Sequence, residues 1–232
     1  SLTLAITHID TVWDSGGTEQ TDGNDKFDHD ASLTVRITSL PTIEGTSIEA
    51  YLNGSSHPEK FTVLSVEENQ AEIRLQRRLL RGDYCLEVAL VYKGKKSLRS
   101  KVYRFQVASP PPPTILAVHE SDVAIPFEEP TDTILLKEGK DVKIAMGGLK
   151  ANDEVRFALS GLGFPAPLTK VVVPDQPIQK PILVDFTQIK GLKPGDRYRV
   201  QAQIIRKGDA SEVTSFEVQI GLKPPPMPEP KQ

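Results

Sequence analysis

The chain has 232 residues, enough for two small domains, and its 38% hydrophobic and 25% charged content fits an ordinary globular protein. Its net charge is −3 and its lysines and arginines form no basic stripe or block, so no nucleic acid is expected as partner. Cys85 is the single cysteine, which excludes an intrachain disulfide, and no window approaches the roughly 18 consecutive apolar residues of a membrane helix, so no membrane insertion is expected.

The opening stretch "SLTLAITHID" lacks the charged start and long apolar core of a signal peptide and reads as a strand. With "KPPPMPEPKQ" at the other end, the chain reads as a segment of a longer protein. "DGNDKFDHD", Asp22 to Asp30, reads as a solvated loop between the first two main strands. Alternation of apolar with mostly polar residues then marks Leu33-Val35-Ile37, Ile48-Ala50-Leu52 and Ala71-Ile73-Leu75 as half-buried strands. Asn53-Gly54 is a turn signal between two of them. "VEENQAEIRLQRRLL" is built of good helix formers, yet its second half alternates and is followed directly by a turn, which predicts a strand. "LLRGDYCLEVALVY" continues as a long strand, and "RFQV" closes this first unit.

"SPPPP", Ser109 to Pro113, cannot join a ladder and favours a stiff extended conformation. Beyond it, Val142-Ile144-Met146, Val155-Phe157-Leu159 and Ile182-Val184-Phe186 alternate in the same way. "SGLGFPAP" reads as a hairpin connection, since it lacks the lysine and following helix of a phosphate loop. A second proline run, Pro224 to Pro230, ends the chain. No helix of three or more turns is expected. The prediction is an all-β chain of two tandem immunoglobulin-like/fibronectin-III-like β-sandwich domains, residues 1–109 and 114–222. A proline-rich linker, 110–113, joins them, and a proline-rich tail, 223–232, follows.

An internal repeat supports two copies of one fold. "LLRGDYCLEVALVYKGKKS…RFQV" and "LKPGDRYRVQAQIIRKGDAS…SFEV" share Leu-Xaa-Xaa-Gly-Asp, a tyrosine, a Lys-Gly turn with a nearby serine, and a final Phe-Xaa-Val. Gly82 and Gly195 are 113 residues apart, but Tyr84 follows its glycine by two and Tyr198 by three. In immunoglobulin-like sandwiches a tyrosine at this place pins a corner through a hydroxyl bond to upstream backbone. Gly82, Asp83, Tyr84, Gly195, Asp196 and Tyr198 are therefore read as structural corners: glycine for the turn, aspartate for local backbone amides, tyrosine to open the strand. Leu86, Val88 and Leu90, and Val200, Ala202 and Ile204, are expected to point inward.

This pairing also weighs the Arg81-Gly82-Asp83 triplet, a tripeptide that adhesion receptors bind. The second unit keeps Gly-Asp but has Pro194 before it, so only Arg81 is left unexplained by the fold. Asp25, Asp28 and Asp30 form a candidate calcium set, because calcium takes several oxygen ligands, although their spacing is not that of an EF-hand loop. No other cofactor is expected. His8, His29, His57 and His119 lack metal spacing and read as surface or turn histidines. Cys85 falls on the outward side of its strand, one residue from the antibody-type cysteine position held here by Leu86. Trp13, Tyr51 and Phe164 are a candidate sugar-stacking platform, set against core or edge packing. No Ser/His/Asp order or nucleophile elbow stands in a supporting context, so no enzyme is expected.

"ITHIDTVWDSGGTEQTDGN", "ASLTVRITS", "IEAYLNGSS" and "LLRGDYCLEVALVYKGKKSLRSKVYRFQV" follow one another in order. In this the chain resembles the bacterial Ig-like (Big-type) repeats of large surface and adhesin-like proteins. The matching residues are Ile9, Val12 (offset by one), Asp14, Gly17, Tyr51, Asn53, Gly54, Gly82, Tyr84 and Phe105-Gln106-Val107. The resemblance implies a stalk or adhesin module at the bacterial cell surface or outside the cell, with neighbouring repeats of the same chain as partners and a protein or glycan ligand. Two rival expectations are an accessory glycan- or protein-binding module attached to a secreted enzyme or toxin, and a structural module of a phage tail or secretion apparatus.

Overall fold

The structure, a computed structural model, describes residues 7–15, 19–20, 26–41, 43–128, 133–161, 168–172, 182–185 and 194–221. The chain divides into two compact units, Ser1–Ser109 and Pro110–Gln232. The described residues form strands and turns and no helix. The expected tail 223–232 lies outside the described residues, as do Asp25, Phe164 and Phe186.

The first unit contains β1 (His8–Asp14), β2 (Glu19–Gln20), β3 (Lys26–Phe27), β4 (Leu33–Thr38), β5 (Thr46–Leu52), β6 (Phe61–Glu67), β7 (Gln70–Leu75), β8 (Gly82–Tyr92), β9 (Lys95–Lys96) and β10 (Tyr103–Val107). One sheet runs β2-β1-β4-β7-β6 and the other β3-β10-β8-β5, with β9 paired to β8. Strands β1, β4, β7 and β6 occupy the ABED places, and β5, β8 and β10 the CFG places, of an immunoglobulin-like sandwich. The alternation in the sequence explains the core. Leu33, Val35, Ile37 and Ile73 face Leu86, Val88, Phe105 and Val107, and all are 3% exposed or less. Leu86, Val88 and Leu90 are each fully buried, as the period-two pattern requires. Each such side chain contributes about 1.5–3 kcal/mol of burial, so Leu86→Ala alone would cost about 2–5 kcal/mol.

The segment expected to be a plain loop, Asp22 to Asp30, carries a strand instead. β3 pairs in parallel with β10, Lys26 opposite Gln106 and Phe27 opposite Val107. Phe27 is 2% exposed and meets Phe105 edge-on at 5.5 Å, which is why Lys26–Phe27 is held against the sandwich. Strand β6 was not legible either. Its register shifts between Val63 and Ser65, so a β-bulge breaks the alternation of Phe61, Val63 and Val66.

The second unit contains β11 (Thr114–Glu120), β12 (Val123–Pro126), β13 (Thr133–Leu136), β14 (Val142–Gly147), β15 (Glu154–Gly161), β16 (Leu168–Val172), β17 (Ile182–Asp185), β18 (Arg197–Arg206), β19 (Asp209–Ala210) and β20 (Thr214–Ile220). One sheet runs β12-β11-β14-β17 and the other β13-β20-β18-β15-β16, with β19 paired to β18. Val142, Ile144, Met146, Val155, Phe157, Val200, Ala202 and Ile204 form its core with Phe216 and Val218. Here too a short strand, β13, lies parallel to the last one, with Thr133 to Leu136 opposite Glu217 to Ile220.

Candidate functional site

The repeated motif builds the same corner by different means. In the first unit the Tyr84 hydroxyl donates to Leu80 O at 2.8 Å, the corner bond expected from the sequence. Its ring stacks on Phe105 with centroids 5.4 Å apart. Leu79, 1% exposed, plugs the core and exchanges both backbone bonds with Ala31. In the second unit the described partner of the Tyr198 hydroxyl is the Asp196 carboxylate, at 3.1 Å.

The glycines differ as well. Gly195 has φ of +87°, a left-handed turn position that favours glycine, whereas Gly82 lies inside the ladder opposite Val107. A Cβ on Gly82 would touch the Tyr84 ring at 3.4 Å. The extra residue before Tyr198 accounts for the difference, because it moves its glycine out of the strand and into the turn. Nor do the aspartates hold backbone amides as expected: Asp83 accepts from the Gln106 side chain at 2.8 Å and Asp196 from Tyr198. The triplet Arg81-Gly82-Asp83 therefore enters a strand, with its carboxylate engaged across the ladder.

The Lys-Gly turns match closely. Lys93 and Gly94, and Lys207 and Gly208, all have positive φ, the geometry of a type I′ hairpin. Three residues on, Ser97 and Ser211 accept the amides of Leu90 and Ile204 through Oγ, each at 2.9 Å. The closing Phe-Xaa-Val does not match in space. Phe105 lies opposite Tyr84, but Phe216 lies opposite Val200, two residues further along the partner strand. A slip of two keeps every side chain on its face, so the sequence pattern could not reveal it.

Two polar clusters were missed in the sequence. On the outer face of β5, Tyr51 is 2% exposed, covered by the Arg99 guanidinium 3.9 Å from its ring centroid. Its hydroxyl bonds Glu49 and accepts from Lys96 at 3.1 Å, while Lys96 also pairs with Glu49 at 2.8 Å. The hydrogen bond from Lys96 and then that from Tyr51 hold the Glu49 carboxyl below its ordinary value, and the same Glu49 bond raises the Lys96 amine. In the second unit Arg206 grips Asp153 with two bonds of 2.8 and 2.7 Å, both residues being 6% exposed or less. Asp153 also accepts from Lys150 N at 2.7 Å, and Arg206 donates to Gly148 O at 3.2 Å, so the pair ties the β14–β15 turn to the end of β18.

The other sequence candidates are dispersed. Trp13, on β1 under the Arg36 guanidinium, and Tyr51 stand on different sheets and share no surface. Asp30 has its carboxylate 3.3 Å from Arg78, and Asp28 is exposed. Among the described residues no group of three or more His, Cys, Asp or Glu side chains gathers to hold a metal ion. His29, expected at the surface or in a turn, sits in a bend but is 7% exposed. Cys85 is half-buried and free, with Arg104 Nη1 3.1 Å from its sulfur.

Among the described residues, a cleft of about 570 Å³ opens in the first unit, between the edge strands β5 and β6. Its walls include Leu40, Ile43, Ile48, Phe61, Val63 and Val66. Its rim carries Glu44, Glu67 and Glu68, and none of its lining residues is a lysine or arginine. The Thr46 hydroxyl at its end is shut off from solvent and has no hydrogen-bond partner. The size is that of an ordinary ligand cleft, with apolar walls and charged residues of one sign at the rim.

No protein-family model and no curated protein matches the sequence. Among solved structures, the chain is similar to the fibronectin(III)-like modules of CbhA from Clostridium thermocellum, at 13% identity and TM-score 0.29, over 91% of this chain and 94% of that one. It is also similar to the FN1-FN3 domains of chicken CNTN1, at 12% identity and TM-score 0.34, over 83% of this chain and 62% of that one. A third is the adhesin InvE of Yersinia pseudotuberculosis, at 12% identity and TM-score 0.35, over 92% of this chain and 59% of that one. The chain spans less than two thirds of the length of the last two. The sandwich assignment itself stands on strand order and register.

Proposed function

We propose that the chain is a non-catalytic tandem Ig-like segment of a larger bacterial surface or secreted protein, serving as a stalk or adhesive spacer that resists tension. One observation carries this reading: in each unit a strand near the start lies parallel to the last strand, β3 against β10 and β13 against β20. Tension applied at the two ends of such a unit slides these strands past each other. All rungs are then loaded together rather than opened one at a time. The proline run at Ser109 to Pro113 supports a spacer role, because polyproline sequences favour an extended, stiff chain. The likeness of the sequence motifs to bacterial Ig-like repeats supports the surface setting.

The test is force spectroscopy on the chain held at its ends. Two unfolding steps are expected, each lengthening the chain by about 3.4 Å per residue released. The unit with four parallel pairs, Thr133 to Leu136, should yield at the higher force, and the one with two, Lys26 and Phe27, at the lower. Both units giving way at forces typical of strands that unzip would overturn the reading.

A further inference from the structure

The two sandwiches differ at the cleft of the first unit. In the second unit, β15 is covered along its outer edge by β16, of sequence Leu-Thr-Lys-Val-Val. Among the described residues, the corresponding strand of the first unit, β5, has no strand on that side. Hydrogen-bond parity shows which backbone groups are left there. Asn53 N donates to Cys85 O and Glu59 N donates to Ala50 O, so odd-numbered residues of β5 bond β8 and even-numbered ones face outward. Thr46 N bonds Ile43 O and Ala50 O is taken by Glu59. The N–H and C=O of Ile48 point into the cleft.

The surroundings fit a ligand of one chemistry. Val63 and Val66 are 52% and 72% exposed on β6, an edge strand, where soluble proteins place charge to prevent pairing. The rim is purely acidic. We propose that this cleft receives an extended segment of a partner protein, with apolar residues alternating with lysine or arginine, that adds as a strand along β5. Its backbone pairs with Ile48, its apolar residues cover Val63 and Val66, and its cations sit against Glu44, Glu67 and Glu68. Strand β16 shows the matching composition on the equivalent edge, apolar with one lysine. The inference does not depend on the mechanical reading, since a spacer that binds nothing and a binder that bears no tension are both physically consistent.

The experiment titrates the full chain, isotope-labelled, with the capped peptide KLTKVVK and with its counterpart in which glutamate replaces each lysine. The expected result is amide shifts confined to Thr46–Ile48 and Phe61–Glu68 with the basic peptide, together with slowed exchange at Ile48. Binding should weaken with salt and fall about tenfold in the Glu44→Lys/Glu68→Lys variant, which should then prefer the acidic peptide. These are exposed surface residues, and an unchanged amide spectrum of the variant shows that it folds. Absence of shifts at millimolar peptide, shifts elsewhere, or equal binding by the charge-reversed chain would overturn the proposal. So would broadening at Thr46–Ile48 that grows with chain concentration and is not displaced by peptide, which would assign the cleft to a second copy of the chain.

Discussion

The two units place the strand that follows their third main strand on opposite sheets. In the first, β6 joins β7; in the second, β16 joins β15. The connections explain the choice. Strands β6 and β7 are joined by Glu68 and Asn69 alone, a hairpin that forces them to be neighbours. Between β16 and β17 stand nine residues with prolines at 174, 177 and 181, which cannot donate to a ladder. One fold therefore yields two surfaces: a covered edge in the second unit, and an open, apolar, acid-rimmed cleft in the first. The polar clusters diverge in parallel, a solvent-facing network around Tyr51 against a buried pair at Asp153 and Arg206.

The sharpest way to break this contrast is to remove the buried pair. Asp153→Ala leaves the Arg206 guanidinium buried without its counter-charge and should cost the second unit about 3–5 kcal/mol. Trp13 is the sole tryptophan and lies in the first unit, so its fluorescence transition should keep its midpoint while the far-ultraviolet dichroism transition moves. A smaller effect separates the two corner glycines. Gly195→Ala forces a side chain into a left-handed position and should cost about 1–2 kcal/mol, whereas Gly82→Ala should cost well under about 1 kcal/mol, its new methyl resting on the Tyr84 ring. Equal costs in denaturant titration would show that the motif is used alike in both units.

The smallest effect concerns pH. Because the folded Glu49 carboxyl is held below its ordinary value of 4.5, its contribution is present above that pH and is lost as pH falls through the lower folded value. Raised in the fold, Lys96 contributes below its ordinary 10.5 and ceases to do so as pH rises through the raised value. Glu49→Gln should flatten the acid limb of the Trp13 transition, and an unchanged limb would remove Glu49 from it.

The fold was legible where chemistry repeats with a period. Leu33, Val35 and Ile37, or Val200, Ala202 and Ile204, announce their strands because every second residue is apolar and buried. The Tyr84 corner was legible because a short motif fixes a local bond. Strand β3 was not, since its two residues lie in an acidic run and gain their place only through β10 and Phe105. The bulge hid β6, and with it one wall of the cleft. Tyr51 stacks under Arg99, 48 positions away, and Asp153 meets Arg206 at a separation of 53, so no local pattern joins either pair.

Amide hydrogen exchange at Ile48 and Val155 tests the difference between the units most directly. These residues hold equivalent places, each one facing away from its long neighbour strand, toward the cleft in the first unit and toward β16 in the second. The Ile48 amide should exchange orders of magnitude faster than its ladder-bonded neighbour Glu49, while Val155 and Arg156 are both protected. Protection of Ile48 equal to that of Glu49 would mean that the edge of β5 is already covered, and the contrast between the units would fall.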